Sequence, residues 1–184
     1  MKRVVMTFAD GFEMVEALTV VDILRRGGVE ILMCSITDDL LLTSAHQVKI
    51  QMDGFLKDID INTVDGIILP GGMPGTTNLA NSTLVCDWVK QLNTEKKLVA
   101  AICAAPTVLG KCGILADKKA TCYPTHEKDL NAREVINSQM VVVDENVVTS
   151  RGMATAMEFG FKLLSILTDD ETSQKIRESV IFMY

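Results

Sequence analysis

The chain lacks a long apolar run, a paired-cysteine motif, a basic cluster and all but two of its possible histidines, and each absence removes a class of function. No stretch approaches the roughly 18 apolar residues of a membrane span, so no membrane partner is expected. After Lys2 and Arg3 the apolar stretch is too short for a signal-peptide core, and a cytoplasmic location is expected. Basic residues never cluster beyond pairs and the net charge is -6, which argues against a protein that grips phosphate backbones; nucleic acid is not an expected partner. Neither G-x-x-x-x-G-K-[ST] nor G-x-G-x-x-G occurs, which weakens nucleotide binding. Cys34, Cys86, Cys103, Cys112 and Cys122 stand at irregular intervals with no C-x-x-C pair, and His46 and His126 are the only histidines. That is neither a disulfide framework nor a zinc site, so reduced thiols, no metal and no cofactor are expected.

What is there is a chain of 184 residues, 48% hydrophobic, long enough for one domain with a substantial core. Internal repeats, low-complexity tracts and linkers are absent, so one domain over residues 1–184 is expected. Apolar runs of strand length alternate with segments of helical period. Arg3 to Ala9 reads as a strand and Met14 to Arg26 as a helix closed by Gly27-Gly28. Val29 to Ile36 reads as a second strand, Leu40 to Thr43 and Gln47 to Met52 as a small hairpin, and Gly66 to Leu69 as a buried strand. Ser82 to Asn93 is a helix with Ser82 at its N-cap, and Lys97 to Ile102 is a strand followed by a helix ending near Lys111. Later strands fall near Ala120 to Cys122, Met140 to Val143 and Val147 to Thr149. Helices then cover Ala154 to Leu167 and Asp170 to Ser179, before the apolar tail Ile181 to Tyr184. Such alternation implies a mostly parallel sheet covered by helices on both faces. In that architecture ligands gather beyond the carboxyl ends of the strands, where the loops with Asp10-Gly11, Gly71-Gly72 and Cys103 would meet.

Cys103, in Ala101-Ile102-Cys103-Ala104-Ala105-Pro106, stands where an apolar strand ends and a helix begins. Free backbone N–H groups and the positive helix end there favour a thiolate, and a buried inert cysteine is the competing reading. Glu13 and Glu16 open the first helix; Glu13 fits an ordinary helix-start preference, while Glu16 is placed to exchange a proton with a neighbouring thiol. The turn Pro70-Gly71-Gly72-Met73-Pro74-Gly75 either presents N–H groups to a ligand or is a plain tight turn. In the first case Gly72 N–H and Ala104 N–H could hold an oxyanion. Tyr123 and His126 sit in a loop that could lean over the same pocket, with Asp129 as an orienting carboxylate for His126, although a surface role fits that histidine as well. His46 lies in the hairpin, remote in sequence from these loops.

Asp10-Gly11-Phe12-Glu13-x-x-Glu16, Leu69-Pro70-Gly71-Gly72, Ala101 to Pro106 and Thr149-Ser150-Arg151-Gly152 together resemble the ThiJ/PfpI superfamily, in the branch of the Parkinson-disease protein and its bacterial chaperone-like relatives. The resemblance covers essentially the whole chain. It implies a flavodoxin-like α/β three-layer sandwich related to the class I glutamine amidotransferase core, usually a homodimer. It also implies Cys103 as nucleophile, Glu16 as its carboxylic partner, and Gly72 and Ala104 at oxyanion-hole positions. Gly71, Tyr123 and His126 are then candidate pocket residues. Two positions depart from the pattern: Tyr123 stands where a histidine is frequent, and His46 where the branch can carry arginine. Ala104 replaces the histidine that peptidase-like members place after the cysteine, and no late His-x-Glu of an amidotransferase follows His126. Isonitrile hydratases typically carry aspartate where this chain has Glu16.

The expected function is a cofactor-free enzyme acting on α-oxoaldehydes through a Cys103 hemithioacetal, a glyoxalase or deglycase. The alternative is a redox-responsive stress protein or chaperone that senses oxidants through Cys103. A small reactive carbonyl is the expected substrate. A homodimer is expected from the resemblance, with Met14, Val15 and Leu18 as candidate contacts.

Overall fold

A computed structural model describes residues 1–182; of the apolar tail expected after Ser179, Met183 and Tyr184 lie outside them. In chain order the elements begin with β1 (Arg3–Phe8), α1 (Met14–Arg26), β2 (Glu30–Ser35), β3 (Leu41–Thr43), β4 (Lys49–Gln51) and β5 (Gly54–Phe55). There follow β6 (Gly66–Leu69), α2 (Gly75–Asn81), α3 (Thr83–Thr94), β7 (Leu98–Ile102) and α4 (Pro106–Lys111). The remainder comprises β8 (Lys119–Ala120), β9 (Glu134–Val135), β10 (Val141–Asp144), β11 (Val147–Ser150), α5 (Ala156–Leu167) and α6 (Asp170–Ser179).

Seven strands form the central sheet in the order β10-β11-β7-β6-β1-β2-β5, and every pair is parallel except β10 with β11. β6 and β7 are buried along their whole length, the pattern of a sheet covered on both sides. Alternation along β1 divides its side chains between two cores: Val4, Met6 and Phe8 face α1 and α5, while Val5 faces α3 and α4. α1 lays its buried stripe of Ala17, Val20, Val21 and Leu24 against β1 and packs along α5. The two helices approach so closely that a Cβ on Gly27 would fall within the side chain of Leu164. The mostly parallel sheet covered on both faces that the alternation implies, and the flavodoxin-like three-layer sandwich that the resemblance implies, are the observed fold.

Several elements differ from the expected ones, and the two-residue strands β5 and β9 were not anticipated at all. The strand placed at Ala120 to Cys122 is only β8, and it pairs with β9 in a separate ladder away from the central sheet. α2 was not anticipated, because it opens on Pro74 without a side-chain cap and runs through Gly75-Thr76-Thr77-Asn78, which have little intrinsic helix preference. It persists because Leu79 is buried beneath it and Thr76 N–H donates to Gly72 O at 2.8 Å. α5 begins at Ala156 rather than Ala154, after a single turn of 3-10 helix over Met153–Thr155. The β3–β4 hairpin forms as expected, and Gly11 N–H donates to Thr43 O (2.8 Å), Thr43 N–H to Asp10 Oδ1 (2.7 Å) and Ala45 N–H to Phe12 O (2.9 Å). These bonds fold the hairpin onto the β1–α1 loop.

Candidate active site

Glu16 lies in the first turn of α1, and its carboxyl turns inward until the residue is 1% exposed. The turn is fixed from both sides: Glu13 caps α1 by accepting Val15 N–H on Oε1 (3.2 Å), and Glu13 N–H donates to Gly71 O (2.8 Å). Glu16 Oε2 in turn accepts Gly71 N–H at 3.0 Å. β6 and β1 are neighbours in the sheet, so the loop after β6 meets the loop after β1 at the carboxyl edge.

Cys103 ends β7, next to β6, with φ +65, a left-handed conformation that lifts its side chain off the strand into the loop cluster. Two backbone bonds hold it there, Cys103 N–H to Ser150 O (3.0 Å) and Tyr123 N–H to Cys103 O (2.8 Å). Its thiol and the Glu16 carboxyl are hydrogen-bonded, and the N–H groups of Ala104 and Gly72 point at the sulfur. Gly71 packs between the pair: a Cβ there would lie 2.5 Å from Cys103 Cβ and 2.5 Å from Glu16 Oε2. Gly72, at φ +93, holds a backbone shape that other residues rarely adopt. Glycine is therefore needed at both positions for different reasons, approach at Gly71 and conformation at Gly72.

Burial pushes the Glu16 carboxyl up to about 7, against its hydrogen bonds to Cys103 and Gly71. Burial, followed by the Glu16 carboxylate, pushes the Cys103 thiol up to about 12, while Ala104 and Gly72 N–H pull the other way. Each anion opposes the other, so the pair holds two protons below about 7 and one above it. The thiolate expected from a helix end alone is thus opposed by burial. α4 starts only at Pro106 and runs 6 residues, and the donors that reach the sulfur are two loop amides. What the arrangement offers is a sulfur nucleophile, a carboxyl that exchanges protons around neutrality, and two amides that can receive an oxyanion.

The remaining candidates separate. Tyr123 is tied to Cys103 through the backbone and is 49% exposed, with its ring against Gly152. The His126 ring lies 6.3 Å from that of Tyr123, in a cleft of about 300 Å³ shared with Met73, Ala104, Thr107 and Asp129. No hydrogen bond joins it to Cys103 among the described residues. His46, remote in sequence from these loops, is brought beside the β1–α1 loop by the hairpin, where its Nε2 stands 3.5 Å from Glu13 Oε2. Sequence spacing carried no signal for that contact, because it depends on the hairpin folding back over the β1–α1 loop. Among the described residues no group of three or more potential ligands gathers as a metal site. No helix there is long and apolar enough to cross a membrane.

A parallel flavodoxin-like sheet that ends one strand in a left-handed cysteine, with a buried carboxyl from the first helix against its thiol, defines a cysteine-centred α/β class. Residues 2–166 match the DJ-1/PfpI family, and the chain belongs to that family. It is 38% identical over 176 residues to protein DJ-1 homolog B of Arabidopsis thaliana; the match takes in 95% of this chain but only 40% of that longer protein. It is also 32% identical over 164 residues to the glutathione-independent glyoxalase DJR-1.2 of Caenorhabditis elegans, covering 89% of this chain and 87% of the relative. Oxidised DJ-1 of Toxoplasma gondii superposes over 100% of both chains with a TM-score of 0.95 at 32% identity.

Proposed function

We propose that the protein is a cofactor-free enzyme acting on small α-oxoaldehydes such as methylglyoxal, converting them to the hydroxy acid or releasing their early adducts from amines and thiols. The observation that carries this reading is the hydrogen-bonded Cys103–Glu16 pair under the amides of Gly72 and Ala104. The glyoxalase name of the worm relative supports it.

The Cys103 proton passes to Glu16 as the sulfur attacks the aldehyde carbon; an S–C bond forms and the carbonyl electron pair moves onto oxygen. Gly72 and Ala104 N–H receive that oxyanion, which then takes the proton from Glu16 to give a hemithioacetal. The Glu16 carboxylate next removes the hydrogen from the carbon bonded to sulfur, leaving an enediolate across the two carbons. Proton return to the second carbon and transfer of the hydroxyl proton give the thioester of the hydroxy acid. Water then cleaves the S–C bond, releasing lactate and restoring the thiol. A carboxyl near 7 suits both the donating and the accepting steps. Lactate formation from methylglyoxal, followed by NMR, tests the proposal; turnover by Cys103→Ser equal to wild type would sink it.

A second reading, oxidant sensing through Cys103, is favoured by the half-buried sulfur and by the two amides that would hold the oxygens of a sulfinate. Graded peroxide with mass spectrometry separates the readings, since a sensor requires Cys103 to oxidise ahead of the other four cysteines. A homodimer is also proposed, through the outer face of α1, where Val15 and Leu18 are exposed. Met14 instead turns toward Ser44 and the core. Sedimentation showing monomer alone at micromolar concentration would reject it.

A further inference from the structure

A groove leads away from the oxyanion amides along α4. Its inner part is the cleft of about 300 Å³ that holds His126, and its wall includes Met73 and Ala104, which follow Gly72 and Cys103 in the chain. A second cleft of about 360 Å³ shares Thr107, Lys111 and Asp129 with the first, so the two run on into each other. α4 is the floor and fixes both walls. On one side Lys111 Nζ donates to Ala80 O (2.7 Å) and Asn81 Oδ1 (3.2 Å), which ties it to the end of α2. On the other, Gly110 packs so closely on the turn Glu127–Asp129 that a Cβ there would lie 2.7 Å from Asp129 O. Both walls are thereby set before a ligand arrives.

Several groups in the groove have incomplete bonding. Thr76, 4% exposed, lines the inner cleft, and its hydroxyl has no hydrogen-bond partner among the described residues. Lys111 uses two of its three N–H donors on neutral oxygens and keeps the third, together with its charge. Asp129 stands in the same two clefts, and among the described residues neither it nor Lys111 is in an ion pair. From Thr107, whose hydroxyl donates to Ala104 O (2.7 Å), to Lys111 the helix makes one turn, a rise of about 6 Å and close to the length of a lysine side chain.

We propose that this groove is a carrier subsite for a free α-amino acid that bears an α-oxoaldehyde adduct on a side chain of lysine length; the proposal rests on the reading of Cys103 and Glu16 as an α-oxoaldehyde site. The aldehyde-derived carbons sit at Gly72 and Ala104 N–H, and the side chain runs past Thr107. The α-carboxylate takes the remaining Lys111 donor, and the α-ammonium pairs with Asp129. A tail with one charge pairs with one of these groups and leaves the other unpaired, whereas the zwitterion pairs with both. Methylglyoxal itself has no tail and uses only the inner end.

The test titrates a stable, product-like probe, Nε-lactoyl-lysine, into the purified protein and follows the amide NMR spectrum. The amides of Gly72, Ala104, Lys111 and Asp129 are expected to shift together, with a Kd about tenfold below that of lactamide, which lacks the tail. Capping the α-amine with acetyl, or the carboxyl as its amide, should each weaken binding. Asp129→Asn should abolish the first of these differences alone, and Lys111→Met the second alone. A Kd equal to that of lactamide, or indifference to both caps, would overturn the subsite, and the wild-type titrations read this even if a variant fails to fold. Lactate formation from methylglyoxal is measured on the same preparation. Lactate without the preference for the probe removes the subsite and leaves the enzyme; the preference without lactate removes the turnover and leaves the subsite.

Discussion

At the amino ends of the strands, solvent-facing ion pairs join the loops: Lys2 pairs with Asp65, Arg3 with Glu30, and Lys96 with Glu145. At the carboxyl ends of the same strands buried bonds of the backbone do the joining, Glu13 N–H to Gly71 O, Cys103 N–H to Ser150 O and Gly71 N–H to the Glu16 carboxyl. Exposed ion pairs trade partners with water at little cost, so the amino end tolerates change. Backbone in contact with backbone has no slack, because no rotamer can move out of the way of an added atom. The ion pairs of the amino end are therefore permissive and the loop contacts of the carboxyl end exacting, and the exacting loops hold the thiol.

The contrast breaks most visibly at the pair itself. Glu16→Gln keeps the size and an acceptor for Gly71 N–H but exchanges no proton, and methylglyoxal turnover should fall by about 10²–10⁴-fold. A fall below tenfold in kcat/KM would remove Glu16 from the chemistry.

Stability against pH gives the next effect. Burial raises the Glu16 carboxyl from 4.5 to about 7, so between those values the native state keeps a proton that the unfolded chain has released. Stability should therefore fall as pH rises through that window, by on the order of 3 kcal/mol, and level off above it. Cys103, raised above its ordinary 9.0, adds nothing in that range. Urea titrations at pH 5 and pH 8 should show this loss in wild type and a flatter response in Glu16→Gln; equal slopes would contradict it.

Gly71→Ala tests the exacting end directly, since the methyl would meet Cys103 Cβ and Glu16 Oε2 and force the pair apart. A loss of about 1–3 kcal/mol is expected in urea, together with lost turnover. Lys2→Ala, at the permissive end, should cost under about 1 kcal/mol and leave turnover unchanged. If the two substitutions cost the same, the two ends do not differ as described.

The sequence made the long periodic elements legible, because α1 and the buried β6 and β7 satisfy one period each without help from the rest of the fold. Cys103 and Glu16 were legible for the same reason: each sits at the end of such an element, and neighbouring strands bring those ends together. β5 and α2 were not, since two residues carry no period and α2 relies on burying Leu79 rather than on propensity. His46 was missed because a hairpin's side of contact is set by bonds such as Ala45 N–H to Phe12 O, which no local pattern encodes. The direction of the Cys103 shift was missed too, since it arises from burial and from a carboxyl far away in the chain.

The fit of Gly27 against Leu164 also bears on synthesis. The apolar stripe of α1 leaves the ribosome early, yet the helix that covers it is translated on the order of ten seconds later at typical elongation rates. Until then Ala17, Val20, Val21 and Leu24 have no native cover from α5, and the half-made chain is at its most adhesive. The interval between α1 and α5 is when a nascent chain of this design most needs a holding partner.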